Sequence, residues 1–126
     1  MNKRVLLVED NEDNRMIYAT ILGHCGYSVT EAPNGLEGVS RAESELPDLI
    51  VMDISLPIID GLEATRRIRA NPTTADIPVL AVTAHAQDSD RQRAMAAGCS
   101  HYLAKPVEPR ALVREVEKII GPSALS

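Results

Sequence analysis

The stretch LIVMDISLP, residues 49–57, runs four consecutive apolar residues into a carboxylate, Asp53, and then turns away through Ser55 and Pro57. A continuous apolar run of this kind suits a strand buried on both faces, as the strands of a parallel sheet are. A lone ionised carboxylate inside such a core is too costly to keep. Asp53 is therefore expected at the open end of its strand, with partners brought in from other parts of the chain.

Working outward, the same alternation repeats. Four more short apolar runs, RVLLV (4–8), YSVTEA (27–32), IPVLAVTA (77–84) and SHYLA (100–104), are separated by helical patterns. Between the first two, Ile17, Ile21 and Cys25 recur at intervals of four up to Gly26, which predicts an inward-facing stripe. NGLEGVSRAESE (34–45) opens with Asn34 as a cap and Glu37 three residues on, and DGLEATRRIRA (60–70) repeats that arrangement with Asp60 and Glu63. DSDRQRAMAAG (88–98) follows the fourth run. EPRALVREVEKII (108–120) has Pro109 at the favoured first helical position and Leu112, Val116 and Ile119 on one face. Five βα units with short connections make one domain over residues 1–120 and leave GPSALS, 121–126, as a tail.

At 126 residues the chain fits a single domain, and its hydrophobic and charged fractions, 44% and 25%, are those of a soluble globular protein. A net charge of -5 disfavours non-specific binding to nucleic acid or to an anionic membrane. No apolar run approaches membrane-spanning length, and acidic residues arrive too early for a signal peptide. Cys25 and Cys99 form no disulfide framework and are expected to be buried thiols.

Repeated βα units imply parallel strands with helices on both faces, and such sheets bind ligands beyond the carboxyl ends of their strands. The residues just after each run are therefore the candidates: Glu9 and Asp10 after the first, Asp53 at the end of the third, Thr83 and Ala84 after the fourth, Lys105 and Pro106 after the fifth. Two like charges 4 Å apart repel by about 4 kcal/mol at an effective dielectric of 20, so three clustered carboxylates call for a cation. An all-oxygen set suits Mg²⁺ or Mn²⁺. Such a metal holds phosphoryl oxygens, while Lys105, the Thr83 hydroxyl and the Ala84 backbone N–H supply further donors. An exposed aspartate beside the metal is then a nucleophile for phosphorus. The set reads as a Mg²⁺-dependent aspartyl-phosphate site.

LLVEDNEDNR (6–15), DLIVMDISLPIIDG (48–61), IPVLAVTA (77–84) and YLAKPVEP (102–109), in this order, resemble the receiver domain of two-component response regulators, from Lys3 to about Ile120. That resemblance implies a doubly wound α/β fold of flavodoxin type, a five-stranded parallel sheet in the order 2-1-3-4-5. It implies that Asp53 accepts a phosphoryl group from a histidine kinase or a histidine phosphotransfer protein. Asp10 would bind Mg²⁺ directly, Glu9 largely through water, and the Ser55 backbone carbonyl would complete the protein ligands alongside Asp53. Thr83 and Lys105 would meet the phosphoryl group, Thr83 and Tyr102 would form the switch, and the bond before Pro106 would be cis. The readout would be the face of the fourth helix, fifth strand and fifth helix, residues 88–120, offered to a downstream output protein. A cytoplasmic monomer or weak phosphorylation-dependent dimer is expected, not an enzyme acting on other molecules. Six residues after the last helix are too few for an output module, so signalling by protein contact is expected, from either a single-domain regulator or a receiver of a hybrid histidine kinase.

Other readings fit less well. A dehalogenase-type phosphatase needs a second carboxylate two residues past its nucleophile, where this chain has Ser55. A flavodoxin-like electron carrier needs donors and small residues in a first loop that is acidic here, and a nucleotide-binding enzyme needs a glycine-rich one, whereas EDNEDN has no glycine. A pseudo-receiver that only binds is disfavoured because every acidic and basic position is filled. Ser55 and His85 stand at positions that influence phosphoryl lifetime in the family, and neither belongs to the amide-plus-acid pair of fast losers, so a lifetime of minutes or longer is expected. His24, His85 and His101 are expected at surface or loop positions, and Arg66, Arg67 and Arg69 on a solvated helix face.

Overall fold

The computed structural model describes residues 2–84 and 87–122. His85 and the last four residues of the expected tail lie outside them. In chain order the elements are β1 (Arg4–Val8), α1 (Glu12–His24), β2 (Ser28–Ala32), α2 (Gly35–Glu45), β3 (Leu49–Asp53), α3 (Gly61–Ala70), β4 (Val79–Thr83), α4 (Asp88–Ala97), β5 (His101–Ala104) and α5 (Pro109–Ile120). The strands form one sheet in the order β2-β1-β3-β4-β5, every pairing parallel. This is the doubly wound arrangement and strand order the sequence resemblance implies.

Burial explains the composition of the strands. Every residue of β3 and β4 is buried, whereas the edge strands β2 and β5 are partly open. Successive side chains leave opposite faces of a strand, so the core is two layers. Leu6, Val8, Ile50, Met52 and Ala81 pack with Leu62, Ile68 and Ala94 on one face of the sheet. Val5, Leu7, Val51, Leu80 and Val82 pack with Tyr18, Leu22, Leu112 and Val116 on the other. Each fully buried leucine or isoleucine contributes about 1.5–3 kcal/mol.

Local chemistry sets the helix starts. Asn34 and Asp60 cap α2 and α3 by accepting from the N–H groups of Glu37 and Glu63, at 2.9 and 2.8 Å. Asn11 does the same for α1 through Asn14 N–H at 2.9 Å. α5 begins at Pro109, and Leu112, Val113 and Val116 are its buried residues.

Three sequence expectations fail here, in whole or in part. The stripe that α1 turns inward is Tyr18 and Leu22, with Ile21 of the expected stripe partly buried against the same core, while Ile17 is half exposed (50%) beside Met16 (59%) and Cys25 is exposed at the helix end. α1 is apolar on adjacent faces, so a spacing of four residues fits two stripes. Tyr18 and Leu22 are the pair that joins the core layer with Val5, Leu7 and Leu112. Only Cys99 is a buried thiol. The arginines of α3 also divide. Arg66 and Arg67 pair with Glu63 on the solvated face. Arg69 instead turns inward and donates to the carbonyls of Gly98 (2.9 Å), Ala75 (3.0 Å) and Ile77 (2.6 Å). It thereby ties α3 to the loop that leads into β4 and to the turn between α4 and β5.

Candidate functional site

The carboxyl ends of β1, β3, β4 and β5 bring the expected residues to one rim. Asp53 is the last residue of β3 and only 3% exposed, and Glu9, just past β1, is 2% exposed. Asp10 beside it is exposed. Carboxylate oxygens of Glu9, Asp10 and Asp53 lie within 4.8 Å of one another. Lys105 reaches back from the end of β5, its Nζ 3.1 Å from Asp53 Oδ2 and 3.5 Å from Glu9 Oε1.

Backbone donors complete the setting. Asp53 Oδ1 accepts the Ser55 N–H at 3.1 Å, and Glu9 Oε2 accepts the Asn11 N–H at 3.2 Å. Thr83 is buried at the end of β4, its carbonyl accepting the Lys105 N–H, and Ala84 follows it exposed. The Lys105–Pro106 bond is cis. A cavity of about 240 Å³ opens beside the rim, with Ser55, Asp60, Thr83, Arg93 and Tyr102 among its lining residues. Tyr102 is half-buried, and the Arg91 guanidinium stands over its ring, 5.8 Å from the centroid. Of the histidines, His24 is exposed at the end of α1 and His101 is half-buried on the edge strand.

The electrostatics follow from three carboxylates sharing one cation. Burial, and then the hydrogen bond and charge of Asp53, push the Glu9 carboxyl up from 4.5 to about 7. For Lys105 burial acts to lower the pKa, but Asp53 and Glu9 together outweigh it and hold the ammonium above its ordinary value. One lysine does not balance this much negative charge, and the donors facing the gap are oxygens. Such a set fits a hard divalent cation rather than zinc.

Arg15 is the residue that sequence reasoning missed. It lies in the first turns of α1, its Nη1 donating to the Glu9 carbonyl at 2.9 Å and its Nε 3.3 Å from Glu31 Oε1 at the end of β2. A signal for it exists in the sequence: a cation near a helix N-terminus opposes the helix dipole, so its place there needs a compensating partner.

A doubly wound parallel domain with a buried aspartate, an acidic pair and a lysine on one rim defines a class, the single-sheet α/β domains that carry their chemistry beyond the strand ends. The chain belongs to the response regulator receiver domain family, whose model matches residues 5–117. It is 37% identical to the polar-differentiation response regulator DivK of Brucella anthropi over 121 residues, 96% of this chain and 98% of that protein. Among solved structures it resembles the receiver domain of the sensor histidine kinase PA1611 of Pseudomonas aeruginosa at 40% identity and a TM-score of 0.88. That match covers 96% of this chain and 99% of the other, whose active-site cleft coordinates a magnesium ion. It also resembles the chemotaxis protein CheY4 of Vibrio cholerae, at 26% identity and a TM-score of 0.90 over 94% of this chain and 99% of that one. The chain is a receiver domain of two-component signalling. Among the described residues no helix is long and apolar enough to cross a membrane.

Proposed function

We propose that Asp53 is the phosphoacceptor of this receiver, taking its phosphoryl group from a phosphohistidine of a histidine kinase or histidine phosphotransfer protein. The observation that carries the reading is the Asp53 carboxylate at the strand end, 3.1 Å from Lys105 Nζ and beside the Glu9–Asp10 pair. An Asp53 oxygen attacks phosphorus, the phosphorus–nitrogen bond breaks, and the imidazole leaves with the electron pair. Lys105 then pairs with a phosphoryl oxygen, and the Thr83 hydroxyl and Ala84 N–H donate to the others. Glu9, Asp10, Asp53 and the Ser55 carbonyl would hold Mg²⁺, or Mn²⁺, which offsets negative charge on the transferring group. The magnesium of the PA1611 receiver supports that assignment. The domain assists only its own phosphorylation and dephosphorylation.

Signalling follows as a population shift: phosphorylation favours the arrangement in which its oxygens are better held. Thr83 and Tyr102 are the switch, and the face of α4, β5 and α5 is the readout for a downstream output protein in the cytoplasm. Two or three charge-assisted hydrogen bonds, at about 1.5–3 kcal/mol each, supply the roughly 5 kcal/mol that a near-complete shift requires.

Intact mass after incubation with acetyl phosphate tests the site. One phosphoryl group should be gained, only with Mg²⁺ present, and the gain should vanish in Asp53→Asn. A gain that survives the substitution would assign the nucleophile elsewhere.

A further inference from the structure

We infer that Arg15 is a positioning residue for the metal-binding loop: it holds the peptide between Glu9 and Asp10 so that both carboxylates face the cation, and Glu31 acts through it. The inference rests on reading the rim as a divalent-cation site.

Glu9 is held from several sides. Its N–H donates to the Ala32 carbonyl at 3.1 Å, and its carboxylate takes the Asn11 N–H and Lys105. Its carbonyl is the group Arg15 holds, at 2.9 Å. That carbonyl belongs to the planar Glu9–Asp10 peptide, so fixing its oxygen fixes the plane from which the Asp10 side chain departs. Asp10 is exposed and packing does little to orient it, which leaves the peptide plane as its main constraint.

Arg15 is itself secured. Its side chain is 19% exposed and its Nε stands 3.3 Å from Glu31 Oε1. Glu31 adjoins Ala32, the residue whose carbonyl takes the Glu9 N–H. The end of β2 therefore holds Glu9 twice, once directly and once through the Glu31–Arg15 pair. Partners of this kind, which orient a metal's ligands without touching the metal, are worth about 10–100-fold in affinity.

The sign of the effect separates positioning from plain charge. Arg15 is a cation beside a cation site, so removing it by charge alone would tighten Mg²⁺ or Mn²⁺ binding. Positioning demands the opposite.

The test is Mn²⁺ binding to the whole chain, read from the electron paramagnetic resonance signal of free Mn²⁺. Wild type is compared with Arg15→Met, Arg15→Lys, Glu31→Gln and the Arg15→Met/Glu31→Gln double variant, with urea unfolding in EDTA confirming that each is folded. Arg15→Met should weaken binding about tenfold, and Arg15→Lys, which keeps a donor and the charge, should recover most of the loss. Glu31→Gln should weaken binding a few-fold, and the double variant should be no worse than Arg15→Met, because both act through one bond. Unchanged or tighter binding in folded Arg15→Met would overturn the inference, as would additive losses in the double variant. Wild type without Mn²⁺ binding would overturn the cation-site reading beneath it, and Arg15's role with it.

Discussion

Replacing Gly61 with alanine should damage both the fold and the site, by an amount the geometry sets. Gly61 is the first residue of α3, and a Cβ there would stand 2.2 Å from the Asp53 carbonyl oxygen, 2.8 Å from Ile54 Cα and 3.0 Å from the Asp53 carbonyl carbon. All three are backbone atoms, so no side chain can swing aside. Those atoms are also fixed: Ile54 N–H bonds to Val82 O, and Gly61 N–H to Ile54 O. The end of β3 must give by close to 1 Å to reach even a tight contact, and overpacking of this severity costs about 3 kcal/mol. With a urea slope of roughly 1–3 kcal/mol per molar, the unfolding midpoint falls by about 1–3 M. Because Asp53 itself is displaced, a surviving folded fraction should accept phosphate from acetyl phosphate at least tenfold more slowly. Gly23→Ala is the control. Gly23 lies inside α1 with nothing within 4 Å of the added atom, so helix propensity alone should stabilise by about 0.5–1 kcal/mol. A Gly61→Ala protein within 1 kcal/mol of wild type, with normal phosphorylation, would refute the reasoning.

Further outcomes follow from other parts of the molecule. In EDTA, Glu9 binds its proton more tightly folded than unfolded, so its contribution to stability is full below pH 4.5 and is lost as pH rises toward about 7. The loss is about 3 kcal/mol at most. Urea titrations of wild type against Glu9→Gln should show that slope only in wild type, and parallel curves would count against it. Arg69→Ala should destabilise by roughly 2–4 kcal/mol, because it strips the donor from three carbonyls. Arg66→Ala and Arg67→Ala should each stay within about 0.5 kcal/mol, since their pairs with Glu63 are exposed. Equal effects from all three would contradict the division between them. The aspartyl phosphate should persist for minutes or longer, read by intact mass after acetyl phosphate is removed, and decay within seconds would exclude it.

The sequence by itself determined the βα alternation, because a strand buried on both faces must be written in consecutive apolar residues. From that alternation came the parallel sheet and the rim, since right-handed crossovers leave only one end of the strands for ligands. Glu9, Asp10, Asp53, Thr83 and Lys105 were therefore legible as a set before any distance was known. The caps at Asn34 and Asp60 were legible too, because capping is a contact over three residues. What the tertiary structure decided are matters of contact between distant segments. Periodicity could not say which stripe of α1 meets the sheet, because two adjacent stripes are apolar and only packing against the sheet and α5 selects Tyr18 and Leu22. Composition could not separate Arg69 from Arg66 and Arg67, because its acceptors belong to loops beyond α3. Nor could spacing show Arg15 spanning Glu9 and Glu31, or the burial and the carboxylate forty-four residues away that together raise the Glu9 carboxyl. Each depends on which atoms the fold packs together, and that is a property of the whole chain rather than of any stretch of it.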